Sequence, residues 1–222
     1  MINSIDDKLN RLLKGYNMLL YFAGTMIMYD PSHECIHDFW TKGILKTLPV
    51  SSRNPRFIEA ASQLRESVDD QKCRIELMRE DYLVLFTGSS KPLAPPYESL
   101  YLNSRQKASD RQSSEVEEFY KSYGWESKFK GKIPEDHLGV ELLFLTLMIE
   151  KLQVLDDEAC NTEMKNEIRR FIKSHLISWI PAWNRKVQKH AITISYKGIS
   201  TLILACVEDL YIIMSQSNTD FS

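Results

Sequence analysis

Glycine and proline are scarce in this chain, with eight of each among 222 residues. An all-β protein of this length needs a turn about every ten residues, and glycine and proline form most such turns. Long apolar runs are also missing. The longest, residues 142–149, is interrupted by Thr146 and is far shorter than the ~20 residues of a membrane span. The sequence therefore argues against an all-β fold and predicts no membrane insertion.

An excess of positive charge is absent as well. The 28 basic residues are balanced by 30 acidic ones, whereas affinity for nucleic-acid phosphates needs clustered positive charge. We therefore predict no nucleic-acid partner. Residues 1–10 are polar and acidic, unlike the basic and then apolar layout of a secretory signal peptide, so we expect a cytoplasmic protein.

Cysteines are few, and none forms a C-x-x-C pair. Cys35, Cys73, Cys160 and Cys206 are far apart, which predicts reduced thiols rather than a disulfide framework. The segment His33-x-Cys35-x-His37 is the best candidate for metal ligands. On a helix, however, Cys35 faces away from the two histidines, so we predict no metal and no bound cofactor.

What the chain does contain is apolar spacing typical of helices, which predicts an all-α bundle of roughly ten helices. The clearest predicted helices cover residues 6–29, 33–48, 71–86, 113–123, 135–152, 157–177 and 192–214, and another begins near Pro55. Because residues 138–149 are apolar nearly all round, we expect helix 135–152 at the centre of the bundle. We predict a single domain, residues 1–222, with an N-terminal lobe (1–127), a hinge (128–136) and a C-terminal lobe (137–222).

Two segments combine residue types suited to binding. Residues 85–101 are rich in aromatic residues and proline, and such a segment either fills a core or offers a groove to an extended peptide. In the second segment, Pro134 is expected to open a helix, with Glu135 and Asp136 in its first turn and His137 next to them. These acids either complement the helix dipole or, at a cleft beside the hinge, bind or catalyse.

Catalytic motifs are missing from the sequence. Residues 88–91 (G-S-S-K) lack the G-x-x-x-x-G-K-[ST] frame of a phosphate-binding loop, and neither G-x-S-x-G nor H-E-x-x-H occurs. Asp136 and His137 are the one pair considered for acid–base catalysis, but adjacent helical residues point about 100° apart, which is a poor geometry for a dyad. We therefore predict no catalytic residues and no enzyme activity.

Three segments carry a resemblance to a known family. Residues 85–88 (L-F-T-G) and 94–101 (A-P-P-Y-E-S-L-Y) resemble a loop of the TorD/DmsD/NarJ-like chaperones. Residues 134–139 (P-E-D-H-L-G) resemble the family's E-P-x-D-H hinge motif, and residues 175–181 (H-L-I-S-W-I-P) resemble its H-L-x-x-W-x-P segment. The three segments occur in the family's order and at its spacing.

The resemblance implies a chaperone that binds the apo catalytic subunit of a molybdopterin-containing oxidoreductase, and its twin-arginine signal peptide, until the cofactor is inserted. Such a peptide needs acidic groups beside an apolar surface, and Glu141 adds one more carboxylate. The residues expected to bind it are Phe86, Pro95, Pro96, Tyr97, Glu98, Tyr101, Glu135, Asp136 and His137.

The residues leave alternatives open. A helical scaffold or regulatory protein without a redox client would have the same composition, and an enzyme using Asp136 and His137 is a further alternative. The connector at residues 128–132 is compatible with either a monomer or a domain-swapped dimer.

Overall fold

The structure is a computed structural model that describes residues 4–31, 44–69, 75–88, 91–102 and 109–216. Within these ranges it contains eight α-helices, several short helical turns and no β-strand, which confirms the all-α class. The helices are α1 (Ser4–Met28), α2 (Pro55–Asp69), α3 (Ile75–Tyr82), α4 (Ser109–Ser122), α5 (Leu138–Gln153), α6 (Glu158–Phe171), α7 (Ile180–His190) and α8 (Ile194–Ile213). Short π-helical segments extend α3 over Leu83–Thr87 and α6 over Ile172–Leu176.

One predicted helix starts elsewhere in the structure, and one observed helix was not predicted. The central helix begins at Leu138 rather than at residue 135, because His137 is extended and its side chain accepts the Gly139 N–H as an N-cap. Pro134, Glu135 and Asp136 therefore lie in a turn before the helix and not in its first turn. Helix α7 was not predicted, although Ile180, Trp183 and Val187 have helical spacing and are buried. Most of the predicted helix 33–48 lies outside the described residues.

The centre of the bundle is formed by α5 and α8. Leu142, Leu145 and Met148 of α5 have no exposed surface, as the sequence predicted. Helix α1 packs against both α5 and α8, while α2 and α7 pack against α8. None of the helices in the described ranges is long and apolar enough to cross a membrane.

One apolar core extends across the predicted hinge. Leu13 and Leu64, which precede the hinge, belong to the same buried cluster as Leu145 and Ile203, which follow it. A polar contact also joins the residues before the hinge to those after it, since the Tyr16 hydroxyl donates to Asp209 Oδ2 at 2.8 Å. The division into two lobes stays a prediction, but in this structure residues on both sides of the hinge share one core.

Helix α8 is capped from outside its own segment. The carboxylate of Asp81 in α3 accepts the backbone N–H of Thr193 at 2.7 Å and the Thr193 hydroxyl at 2.6 Å. It also accepts the backbone N–H of Ile192, at 2.9 and 3.1 Å from its two oxygens. Thr193 is the N-cap residue of α8 and its own side chain does not cap the helix, but Asp81 satisfies the backbone N–H of this N-cap residue, which has no acceptor within the helix. This buried contact fixes α3 to the α7–α8 turn.

Candidate peptide-binding site

The loop at residues 91–102 is held against the π-helical end of α3. Its Leu93 N–H donates to the Val84 carbonyl at 3.0 Å, and its Ala94 N–H donates to the Leu85 carbonyl at 2.9 Å. These carbonyls belong to the last turn of the helix, where no intrahelical partner is available. From the other side, the indole N–H of Trp183 donates to the Ala94 carbonyl at 3.1 Å. The start of the loop is therefore fixed between α3 and α7.

The same loop pairs with the turn that precedes α5. Tyr97 and His137 form an isolated antiparallel β-bridge. The Leu138 N–H donates to the Pro96 carbonyl at 2.9 Å, and the Glu98 N–H donates to the Asp136 carbonyl at 3.0 Å. The Asp136 carboxylate adds a bond by accepting the Ser99 N–H at 3.1 Å. The loop at residues 91–102 and the hinge motif at residues 134–139 thus lie in direct contact.

His137 joins this contact to the start of α5. Its Nδ1 accepts the Gly139 N–H at 3.0 Å, which requires a neutral ring with the proton on Nε2. Burial lowers the pKa of His137 to about 4, so the ring stays neutral at pH 7. The Tyr97 ring meets the His137 ring edge to face, with 5.2 Å between the centroids. His137 and Asp136 are each engaged in separate structural bonds, which is not the arrangement of a catalytic dyad.

The aromatic residues of the loop occupy two different environments. Phe86 lies in the core, stacked on Trp183 at 6.2 Å between centroids and edge-on to Tyr196 at 5.3 Å. Tyr101 lies nearer the surface and stacks on Trp179 at 5.3 Å. The Lys186 ammonium sits 4.6 Å from the centre of the Tyr101 ring, a cation–π distance. Phe86 therefore fills the core, whereas Tyr101 contributes to a surface.

A buried group of ionisable side chains lies beneath this surface. Glu98 and Glu141 have no exposed surface, and Asp136 and His175 are nearly as well buried. His175 Nδ1 is 3.2 Å from Glu98 Oε2, and the Glu141 carboxyl group is within hydrogen-bonding reach of Glu98. Burial raises the pKa of Glu141 well above its ordinary value, and the charges of Glu98 and Asp136 raise it further. Burial also raises the pKa of Glu98, although its contact with His175 opposes that effect.

Only part of the predicted site reaches solvent in this structure. Pro95, Tyr97 and Tyr101 are partly exposed, and Leu93 and Leu100 of the same loop are 42% and 53% exposed. The other predicted residues are buried: Phe86, Pro96, Glu98, Glu135, Asp136 and His137. The accessible part is therefore apolar and aromatic, and the predicted acidic residues lie behind it.

On the other side of the hinge turn, the exposed Glu126 and the half-buried Glu117 lie next to the buried Glu135. Glu117, Glu126 and Glu135 line a small cleft of about 20 Å³, together with Trp125 and Lys130 among others. Glu135 is 8% exposed, and its Oε2 has no hydrogen-bond partner in the described structure. Lys130 forms an ion pair with Glu126 and lies 3.9 Å from Glu117. Because Glu135 directly precedes Asp136, this cleft adjoins the Tyr97–His137 contact.

Several residues that build the site were not among those predicted. His175 and Trp179 belong to the third segment of the family resemblance, which was the available signal for their role. Trp183 and Lys186 belong to α7. Because this helix was not predicted, their contacts with the loop were not predicted either. In the part of the chain that is described, no group of three or more His, Cys, Asp or Glu is arranged to hold a metal ion. His33, Cys35 and His37 lie outside the described residues.

Comparison with known proteins identifies the family. The model of the nitrate reductase delta subunit family matches residues 54–185, which is more than half of the chain. The chain therefore belongs to this family, and the resemblance to the TorD/DmsD/NarJ-like chaperones is confirmed.

Individual relatives carry a more specific name. "Chaperone protein TorD" of Vibrio parahaemolyticus is 30% identical over 148 residues, covering 67% of each chain. The protein of the same name from Photobacterium profundum is 24% identical over 169 residues, covering 74% of this chain and 78% of its own. That of Aliivibrio salmonicida is 20% identical over 205 residues, covering 91% and 95%. The match to this relative covers most of both chains and includes all the site residues.

Proposed function

We propose that the chain is a chaperone that binds the apo catalytic subunit of a molybdopterin-containing oxidoreductase and the twin-arginine signal peptide of that subunit. In this proposal it acts in the cytoplasm, holds its client until the cofactor is inserted, and is not an enzyme. Membership of the family and the shared name of the relatives support the chaperone role. The observation that carries the proposal is the exposed apolar loop at residues 93–101, which is held rigidly beside an acidic cleft.

The loop is suited to the apolar part of a signal peptide. Leu93, Pro95, Tyr97, Leu100 and Tyr101 present apolar surface within nine residues of sequence. Their backbone is fixed by hydrogen bonds to α3, α7 and the hinge turn, so the surface is largely formed before a peptide arrives. Such preorganisation favours binding, because less conformational entropy is lost on association.

The rim of the cleft around Glu135 is suited to the basic part of the peptide, although the cleft itself, at about 20 Å³, is too small to enclose a guanidinium group. A guanidinium group donates several hydrogen bonds to carboxylates and stacks on aromatic rings, and the rim offers the exposed Glu126 and the partly exposed Glu117 and Trp125. Lys130 and Lys121 already neutralise some of this charge, so an arginine would compete with them. We assign the remaining predicted residues, Phe86, Pro96, Glu98, Asp136 and His137, to holding the two surfaces together.

Calorimetric titration with a synthetic leader peptide tests this assignment. The peptide carries two adjacent arginines followed by an apolar stretch of about ten residues. Leu100→Ala removes an exposed apolar side chain of the loop and should weaken binding about three- to tenfold, as expected for roughly 1 kcal/mol of lost apolar contact. The matched control is Ile212→Ala, because Ile212 is similarly exposed, at 55%, but lies near the C-terminal end of α8.

The acidic contribution is tested with Glu126→Gln, which should weaken binding and reduce its dependence on salt concentration. A second peptide, in which both arginines are replaced by glutamine, should bind weakly to every variant. Circular dichroism shows first that each variant is folded. Equal affinity of the wild type, Leu100→Ala and Glu126→Gln would contradict this placement of the site. Failure of the wild type to bind the leader or to co-purify with a co-expressed apo oxidoreductase subunit would contradict the proposed function.

A further inference from the structure

The buried carboxyl groups of Glu98 and Glu141 pose a specific problem of hydrogen bonding. Glu98 Oε1 and both carboxyl oxygens of Glu141 have no hydrogen-bond donor in the described structure. Two ionised carboxylates repel one another because they carry like charges. Each also offers acceptors only, so burying them without a donor is costly. One proton placed between them converts an acceptor into a donor and lets the two groups bond to each other.

The groups around Glu141 favour such a proton. Glu98 faces it from the loop and Asp136 from the hinge turn, and both are carboxylic acids. Tyr120 faces it from α4 as a neutral phenol, and its hydroxyl donates to the Glu135 carbonyl rather than to Glu141. Trp179 also lies close to Glu141, but its indole N–H donates to the His175 carbonyl at 2.6 Å. His175, at the π-helical end of α6, contacts Glu98 Oε2, whereas Glu98 Oε1 is the oxygen without a donor. A charge on Glu141 would therefore be added to an already acidic and fully buried environment.

We propose that a proton held by Glu141 joins its carboxyl group to that of Glu98, and that Glu141 thereby positions the peptide-binding loop. Glu98 directly follows Tyr97, and its carbonyl accepts the N–H of Tyr101 at 3.0 Å. A displacement of Glu98 thus moves both aromatic residues of the proposed peptide surface. The part of this inference that concerns peptide binding rests on the proposed function, whereas the shared proton does not.

Urea unfolding as a function of pH tests the proton. The folded protein keeps the proton, whereas an unfolded glutamate releases it above pH ~4.5, so Glu141 lowers stability progressively as the pH rises. Relative to Glu141→Gln, the unfolding constant of the wild type should rise up to tenfold per pH unit between pH 5 and 8. The control Glu150→Gln, which changes an exposed glutamate on the same helix, should follow the wild type. Parallel behaviour of the wild type and Glu141→Gln would overturn the proposal.

Infrared spectroscopy gives a readout that a merely structural role would not change. At pH 7 the wild type and Glu150→Gln should show the carbonyl band of one protonated carboxylic acid, and Glu141→Gln should lack it. Absence of this band from the wild type overturns the proposal even if the Gln variant does not fold.

Peptide titration then tests the positioning role. Wild-type affinity for the leader should fall at the pH where the band disappears, whereas the affinity of Glu141→Gln should not change there. Equal pH profiles for the two proteins would overturn positioning by the proton. If neither protein binds the leader, the proposed function fails, while the unfolding and infrared results still decide the shared proton.

Discussion

The cap that Asp81 provides to α8 permits a quantitative prediction about stability. Asp81 is 1% exposed, and its carboxylate accepts two backbone N–H groups and one hydroxyl group. Asp81→Ala removes the acceptor but leaves these donors in place. Each buried donor left without a partner costs about 1–3 kcal/mol. Because Thr193 is buried and Ile192 is exposed, we count two buried donors and expect a total loss of about 4 kcal/mol.

The measurement is equilibrium unfolding in urea, followed by tryptophan fluorescence. Trp179 and Trp183 are fully buried and report on the core next to α8. Asp81→Asn keeps one acceptor oxygen without its charge and should lose about half as much stability, roughly 2 kcal/mol. The control is Glu80→Ala, which removes an exposed acid one residue earlier and should change stability by less than about 0.5 kcal/mol.

The pattern across the three variants distinguishes the cap from simple charge removal. A loss of about 4 kcal/mol is a large part of the 5–15 kcal/mol that is typical for a folded domain, so the transition midpoint should shift visibly. Hydrogen exchange should show faster exchange at the Thr193 amide in Asp81→Ala. If Asp81→Ala and Glu80→Ala unfold at the same urea concentration, the cap does not stabilise the fold and the reasoning is refuted.

Two further predictions concern the start of α5. The pKa of His137 is about 4 in the folded protein and near 6.5 when unfolded, so the unfolded state binds more protons below pH 6.5 and stability is lost as the pH falls from 6.5 towards 4. The loss of stability amounts to about 3 kcal/mol. His137→Asn keeps a capping acceptor but does not titrate, so its stability in urea titrations should not show this loss between pH 7 and pH 4.5. If the wild type and His137→Asn depend on pH in the same way, the neutral buried ring is contradicted. A Cβ atom at residue 139 would lie 2.2 Å from Met28 Cγ, so Gly139→Ala should cost about 1–3 kcal/mol. The double variant with Met28→Ala should recover part of that cost, and strict additivity of the two changes would contradict a direct contact.

The fold class and the central helix could be predicted from the sequence because both depend on local periodicity. Leu142, Leu145 and Met148 lie in a segment that is apolar all round, and such a helix is stable only when it is covered on every side. The start of the same helix was predicted three residues too early. Asp136 looks like a first-turn acid, but its carboxylate bonds to the Ser99 N–H, 37 residues away in sequence, and His137 caps the helix instead. A contact across that distance leaves no local pattern to detect.

The candidate site shows a similar limit. Its two segments, residues 85–101 and 134–139, were identified by their resemblance to family motifs. The structure brings them into contact through Tyr97 and His137. The burial of Glu98 and Glu141 could not be predicted, because charged residues are almost always exposed unless they find partners. Here the groups around the two carboxyl groups come from the loop, the hinge turn, α4 and the π-helical end of α6, and neither composition nor spacing indicates that these segments meet.

The packing of α1 has a consequence for the order in which the chain folds. Helix α1 is synthesised before the other helices described here, yet its apolar side is covered by α5 and α8. Its bond from Tyr16 to Asp209 spans 193 residues. During synthesis, Leu13 and Leu20 therefore remain without their native neighbours until α8 has left the ribosome. Such distant contacts slow folding and leave apolar surface open to aggregation. A nascent chain of this protein is thus itself a candidate for protection by general chaperones.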